Sequence, residues 1–475
     1  MVDTRAEITR VLERFQFRSG RAFLKTLTCL VLPALVIWVL PLSGMPDSAR
    51  ISLAIVTLAG SLWISEAIPA FAVALLVIGL QVMLLGMPGG VLASADDLRA
   101  WEIYVRPWAS PPMWLFFGGL ILARAAQRTE IDRWIAQTAL RLTGGSPRRL
   151  LPALMAITFL FSMFMSNTAT CAMMLTVLGP AVAGLPKDSP VGKSLLLGLA
   201  FAANLGGMGT IIGTPPNAIG AGFLDASGGI SFLDWMALGL PPSILLFAVV
   251  WFQLSRSLKG QDSPLAISLN PTSPASSTTV WQRWLTLLIF CLTIGLWMTG
   301  SLHGTPTAVV SFIPIISLTM IGVIRAEDIR ALNWDVLILL AGGLSLGVGI
   351  ESSGLATWMG ERIETFSFPA WAMALALAYV AAFASNLMSN TAAANILLPI
   401  GLVVAETAGG ALPPASIVVP VALSCSIAMA LPIATPPNAL IFASGRLQAR
   451  DYLPGGLLTL LLGPPLAVFW CLLLG

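Results

Sequence analysis

Two short polar sequences recur in an otherwise apolar chain. Ser166-Asn167-Thr168 returns as Ser389-Asn390-Thr391, and Thr214-Pro215-Pro216-Asn217 returns as Thr435-Pro436-Pro437-Asn438. Serine, threonine and asparagine side chains each donate and accept hydrogen bonds. A cluster of them can bind a carboxylate by donation and a cation by acceptance. A helix starting just after either triplet would aim its first N–H groups at the same point, which favours an anion. Consecutive prolines remove N–H donors and interrupt a helix, and the carbonyls freed there can coordinate a cation. The pattern describes a site for a small anion held together with a cation. A proline kink between packed helices is the structural alternative for either Thr-Pro-Pro-Asn taken alone.

A membrane-embedded scaffold must position these residues. The chain has 475 residues, 57% hydrophobic and only 10% charged, with a mean hydropathy of +0.88. That is too little charge to cover a water-exposed surface. Eleven spans are expected, at about 23–43, 50–65, 68–88, 111–127, 193–224, 238–256, 284–300, 306–324, 334–350, 415–446 and 454–474. The first reads as a membrane helix and not a cleaved signal, because its basic leader is long and it lacks a small-residue cleavage site. Two further apolar segments, about 148–184 and 369–407, are interrupted by the Ser-Asn-Thr triplets. Their arms of roughly a dozen residues or more can enter a bilayer and turn back. Polar backbone at such depth is tolerated only inside protein or beside a watery cavity.

Charge supplies the orientation. With the N-terminus inside, twenty Lys and Arg residues fall on the inner side and four on the outer, while Arg124 is left within a span. This positive-inside asymmetry holds only if both interrupted segments enter and leave by the same side, as re-entrant hairpins. The expected fold is an all-α polytopic membrane protein with eleven transmembrane helices and two re-entrant helical hairpins, in the inner cell membrane, with its C-terminus outside. A cytoplasmic segment 1–22 precedes a first half, 23–258. A Ser- and Pro-rich cytoplasmic linker, 259–283, separates it from a second half, 284–475.

The halves are related in sequence. Gly118-Gly119 matches Gly342-Gly343 and Trp134 matches Trp358, both at an offset of 224; Ser162 onward matches Ser385 onward at 223; Gly213 onward matches Ala434 onward at 221. Matches in the same order and at nearly constant offset indicate a duplication. The spans carrying the two Gly-Gly pairs run in opposite directions, so the repeat is expected to be inverted. Such repeats place substrate and ion sites where the halves meet.

No Lys, Arg or His occurs in 150–186, 194–255 or 363–445. A di-anion bound among these residues would be unpaired in a low-dielectric setting, which is costly. A coupled cation is the simplest compensation, and a site of neutral oxygens points to sodium.

At these residues the chain resembles the divalent anion:sodium symporter family, the sodium-coupled di- and tricarboxylate cotransporters. The resemblance covers about residues 50–475 and extends to SLWISEAIPAFAVALL around Glu66, NWDVLILLAGGLSLG around Asp335, and SNTAAANILLPI followed by ATPPN. It implies substrate contacts at Ser166, Asn167, Thr168, Thr214, Ser389, Asn390, Thr391 and Thr435. It implies one sodium held by Ser162, Ser166, Asn167 and the Gly213 backbone, and a second by Ser385, Asn390 and the backbones of Met388 and Ala434. It further implies a homodimer, an elevator-like motion, and import of C4-dicarboxylates such as succinate, malate or fumarate. Ala393 departs from the pattern, since a threonine like Thr170 is common there. Sodium-independent exchange and citrate or sulfate carriage are the alternatives within the family. Intact Ser-Asn-Thr in both halves resembles carboxylate carriers more than sulfate carriers.

Other readings are weaker. Gly343-Leu344-Ser345-Leu346-Gly347 matches a nucleophile pattern of serine hydrolases but lacks its strand-turn-helix context, and reads better as a small-residue packing face. His303, the only histidine, is expected in a solvated outer loop. A channel is the other rival, since broken backbone also lines pores. Glu66 and Asp335 are acidic residues near membrane ends and so functional candidates by default, but for Glu66, ahead of Pro69 at an expected turn, anchoring of a helix end is the favoured reading. Cys29, Cys171, Cys291, Cys425 and Cys471 read as small buried side chains without metal-ligand spacing.

Overall fold

The computed structural model describes residues 20–39, 42–87, 99–225, 228–260, 280–364, 368–407 and 413–474. Most of the expected N-terminal segment 1–22 and linker 259–283 lies outside the described residues. No strand occurs among the described residues, as expected where lipid leaves backbone groups no partner except within a helix.

In chain order the longer helices are α1 (Gly20–Val39), α2 (Asp47–Ser65), α3 (Ala70–Gln81), α4 (Pro111–Thr129), α5 (Ile131–Arg141), α6 (Pro147–Ser162), α7 (Asn167–Ala183), α8 (Pro190–Gly207), α9 (Pro215–Asp225) and α10 (Phe232–Ser255). They continue as α11 (Val280–Met298), α12 (Phe312–Met320), α13 (Trp334–Ser352), α14 (Leu355–Glu364), α15 (Ala370–Leu387), α16 (Asn390–Thr407), α17 (Ala415–Ser426), α18 (Pro436–Phe442) and α19 (Ala449–Leu474). The order α4–α10 after the first half's entry helices has a counterpart, element by element, in α13–α19.

Seven helices are long and apolar enough to cross a membrane among the described residues: Asp47–Ser65, Phe232–Leu258, Val280–Met298, Trp334–Ser352, Ala370–Leu387, Asn390–Thr407 and Ala449–Leu474. Of the eleven expected spans, 23–43 and 111–127 fall outside these seven as well; for the other four that do, the difference has a local cause. The expected spans 193–224 and 415–446 are each split into two shorter helices, α8 and α9, and α17 and α18. The span 306–324 is divided at Ser311, and 68–88 passes from α-helix to a π turn at Val82–Gly86. Conversely, α15 and α16, both long enough to cross, are the arms of the expected interrupted segment 369–407.

Local chemistry sets the helix ends that matter. Ser166 caps α7, its Oγ accepting from Ala169 N at 3.2 Å, and Ser389 Oγ does the same for α16 through Ala392 N at 3.2 Å. Thr435 Oγ1 accepts from Asn438 N at 3.3 Å at the start of α18. Each cap satisfies a first-turn N–H that has no partner within the helix. The Thr-Pro-Pro-Asn prolines are therefore not themselves the interruptions. They occupy the first helical positions of α9 and α18, where a missing N–H costs nothing, and the breaks are the preceding residues 208–214 and 427–435.

Asparagines close both breaks in the same way. Asn217 Nδ2 donates to the carbonyls of Gly207 (2.9 Å), Met208 (3.3 Å) and Thr210 (2.7 Å). Asn438 Nδ2 donates to Met429 O (3.1 Å) and Leu431 O (3.0 Å). Backbone that no helix satisfies is thus satisfied by a buried amide, the condition for breaking a helix inside a membrane protein.

Arg124 is explained by its partner. Its Nε donates to Asp328 Oδ1 at 3.0 Å, while Arg128 Nη1 reaches Asp328 Oδ2 at 2.7 Å and Glu327 Oε1 at 3.1 Å. Asp328 is fully buried. Burial alone would raise its pKa, but hydrogen bonds from the Arg325 backbone and from Arg128 and Arg124 outweigh that and lower it.

The Gly-Leu-Ser-Leu-Gly stretch lies in the middle of α13. Its Ser345 is fully buried, donating to Gln81 Oε1 at 2.7 Å, and a Cβ at Gly343 would collide with the Asn395 amide. It is a packing face of small residues, with no exposed nucleophile. His303 is exposed at the end of a helical turn, Gly300–His303, and its ring takes a bond from Thr305 N at 3.0 Å. Of the five cysteines, four are buried but Cys291 is exposed. It stands on the outer face of α11, where a small apolar thiol suits lipid as well as a core.

Candidate functional site

The four breaks converge on one cavity of about 550 Å³. Its wall includes Ser166, Asn167 and Thr168 from the first triplet, Ser389, Asn390 and Thr391 from the second, and Thr214 and Thr435 from the Thr-Pro-Pro-Asn sequences. Every residue expected from the sequence to contact substrate therefore faces the same space, although the triplets are 223 residues apart in the chain. The starts of α7, α9 and α16 lie at this wall, so the positive ends of three helix dipoles are directed there.

The residues expected to hold cations divide between the wall and the layer behind it. Gly213, Met388 and Ala434 line the cavity, while Ser162 and Ser385 are fully buried. The Asn167 amide stands 2.7 Å from Ser162 Oγ and 3.2 Å from the carbonyl oxygens of Gly213 and Ala203. Ser162 Oγ in turn donates to Ala203 O at 2.6 Å. The amide atom facing this cluster meets only oxygens. Either its nitrogen donates to them, or its oxygen joins them in a nest of four neutral oxygens that suits a hard cation. In the second half Asn390 Oδ1 and Ser385 Oγ are buried with no hydrogen-bond partner, oxygens that a cation would satisfy. Among the described residues no group of three or more His, Cys, Asp or Glu is placed to hold a metal.

Among the described residues, Glu66 and Asp335 are the only charged ones on the cavity wall. Glu66 does end a helix, as expected: it follows α2 in the left-handed conformation, φ 50°. It also faces the cavity. Asp335 does so from the first turn of α13. A polar vestibule with two carboxylates and no basic side chain is hostile to a di-anion unless cations accompany it.

Three contributions escaped the sequence reading. Asn204, in the last turn of α8, lines the cavity and donates to Thr435 Oγ1 at 3.0 Å. Asn386 also lines it, accepting from Ala430 N at 2.9 Å and donating to Ala382 O at 2.8 Å. The third is the carbonyl of Ala203. An amide inside an apolar helix was the available signal for the two asparagines; a carbonyl carries none.

Comparison with known proteins agrees with this architecture. The citrate transporter family profile CitMHS matches residues 60–419. A sodium-dependent dicarboxylate transporter, SdcS, from Staphylococcus saprophyticus is 30% identical over 446 residues, 86% of this chain and 82% of the relative. The sodium-dependent high-affinity dicarboxylate transporter 3 of Caenorhabditis elegans is 27% identical, over 84% of this chain and 78% of the relative. Among solved structures, Neisseria gonorrhoeae MtrF has a TM-score of 0.56 at 14% identity, covering 93% of this chain and 98% of its own. The Alcanivorax borkumensis YdaH transporter has 0.55 at 15%, covering 84% and 96%. At such low identity these two structures speak to the fold alone.

Proposed function

Because the chain belongs to the citrate transporter family, and is a multi-pass transporter and not an enzyme, we propose that it imports C4-dicarboxylates together with sodium. The observation that carries this reading is the cavity itself. Both Ser-Asn-Thr triplets and both Thr-Pro-Pro-Asn threonines surround it, with no basic side chain on its wall among the described residues. Hydroxyl and amide donors and helix N-termini bind the carboxylates. Cations held by Ser162, Ser166, Asn167 and the Gly213 carbonyl on one side, and by Ser385, Asn390 and the carbonyls of Met388 and Ala434 on the other, supply the missing positive charge. The names of the sodium-dependent relatives support the choice of ion.

In this reading α6–α7 and α15–α16 are re-entrant hairpins of an inverted repeat. The protein sits in the inner cell membrane with its N-terminus inside, as a homodimer. The hairpin-bearing domain of each protomer, drawn from both halves, moves as an elevator against a scaffold that includes α2–α4 and α11–α13. The matched order of α4–α10 and α13–α19, and the paired asparagine clamps at the breaks, support the repeat. A tricarboxylate cargo is the second reading, favoured by the family's description as citrate transporters. Uptake of radiolabelled succinate into proteoliposomes, with and without an inward sodium gradient, tests both, with citrate, malate and sulfate as competitors. Concentrative uptake that requires sodium is expected. Uptake indifferent to sodium but driven by internal dicarboxylate would replace symport with exchange, and downhill flux alone would indicate a channel.

A further inference from the structure

Among the residues at which the two halves of the cavity differ, one sets the polarity of one of its threonines. Asn438 Nδ2 is committed to the carbonyls of Met429 and Leu431, so its Oδ1 must face the opposite way. There it accepts from Asn204 Nδ2 at 3.2 Å. The same Nδ2 donates to Thr435 Oγ1 at 3.0 Å, and the Asn438 backbone N–H donates to that hydroxyl oxygen at 3.3 Å. A hydroxyl has two acceptor positions and one proton. Both acceptor positions of Thr435 are therefore taken, and only its proton remains to be used. Asn204 and Asn438 are both fully buried, which keeps water from competing for these bonds.

The first half has no such arrangement. At the offset of 221 that aligns Thr214 with Thr435, the position of Asn204 corresponds to Cys425. Among the described residues no side-chain amide donates to Thr214 Oγ1, so that hydroxyl stays free to donate or to accept.

We propose that Asn204 is a positioning residue that commits the Thr435 hydroxyl to donation, and so dedicates the second half of the cavity to a substrate carboxylate. The proposal rests on the dicarboxylate reading and deepens it. Asn204 acts through Thr435 by its Nδ2, so its loss weakens substrate recognition; its Oδ1 is buried without a hydrogen-bond partner, and an unaltered sodium activation is what separates this role from cation binding.

The test is a double-mutant cycle in proteoliposomes, with succinate as the probe. Asn204→Ala is expected to raise the succinate KM about tenfold, the loss of one hydrogen bond to a charged group, and Thr435→Val to do the same. The double variant should be no worse than either alone, and the sodium concentration for half-activation should stay at the wild-type value in all three. Additive losses, an unchanged succinate KM in Asn204→Ala, or a shifted sodium dependence would each overturn the proposal. A merely structural asparagine would lower yield and melting temperature while leaving KM alone. If Asn204→Ala does not fold, Asn204→Ser, which keeps a donor but not its reach, is put through the same cycle with the same criteria. Wild-type protein that carries no succinate would refute the dicarboxylate reading itself, an outcome distinct from wild-type transport with an indifferent Asn204.

Discussion

The Asn167 amide and the Ser162 hydroxyl stand 2.7 Å apart, five residues from each other in sequence but on opposite sides of the break between α6 and α7. The break is what allows them to meet. In a continuous helix the amide of residue 167 would point along the surface, whereas here the chain turns and directs it back at the hydroxyl and at two carbonyls of neighbouring segments.

Loss of either amide should therefore be decisive. Asn167→Ala and Asn390→Ala are each expected to lower sodium-driven uptake by at least about tenfold, while both proteins still insert and purify as the wild type does. Proteoliposome uptake normalised to reconstituted protein measures this, and near-normal transport by both variants would remove these residues from the site.

Gly207 sets the room for that amide. A Cβ there would lie 2.5 Å from Asn167 Oδ1 and 2.9 Å from its Nδ2, both inside contact distance. Gly207→Ala should displace the amide and raise the sodium concentration needed for half-maximal uptake, by roughly three- to tenfold. A sodium titration at saturating substrate reads this directly. An unchanged titration would mean that Asn167 does not serve the cation.

Asp328 should matter to stability. Its side chain is buried against Arg124 and Arg128, and removing one partner of a buried pair costs on the order of 3 kcal/mol. Asp328→Asn should lower the melting temperature in detergent at pH 7. Its pKa is lowered in the fold, so its contribution is present above the unfolded value and lost as pH falls through the folded one. The gap between wild type and variant should accordingly narrow below about pH 4.

Asp132 should act in the opposite sense. It is buried on α5, and burial first of all, then the nearby Glu130, pushes its carboxyl up to about 6 against the opposing backbone hydrogen bonds and Arg133. A carboxyl raised in the fold contributes stability that is full below its unfolded pKa of about 4 and is lost as pH rises through 6. Wild-type melting temperature should fall between pH 4.5 and 7, and Asp132→Asn should flatten that slope. A wild-type curve as flat as the variant's would show that this carboxyl is ionised throughout.

Much of this was legible in the chain itself, for identifiable reasons. Apolar runs and the distribution of Lys and Arg follow from transfer free energies that act residue by residue, so they report membrane residence without any tertiary information. The repeated triplets and Thr-Pro-Pro-Asn sequences were visible because a site built twice leaves its pattern twice. Where helices actually stop was less visible. Prolines read as interruptions proved to be helix starts, because proline is tolerated in the first turn and the break depends on carbonyl partners supplied by Asn217 and Asn438. Tertiary structure alone decided that the eight candidate substrate residues share one cavity, that Glu66 faces it as well as ending a helix, and that Asn204 reaches across the halves to Thr435. Those facts depend on which atoms lie within hydrogen-bonding distance after segments more than two hundred residues apart have packed, and no local pattern encodes such a distance.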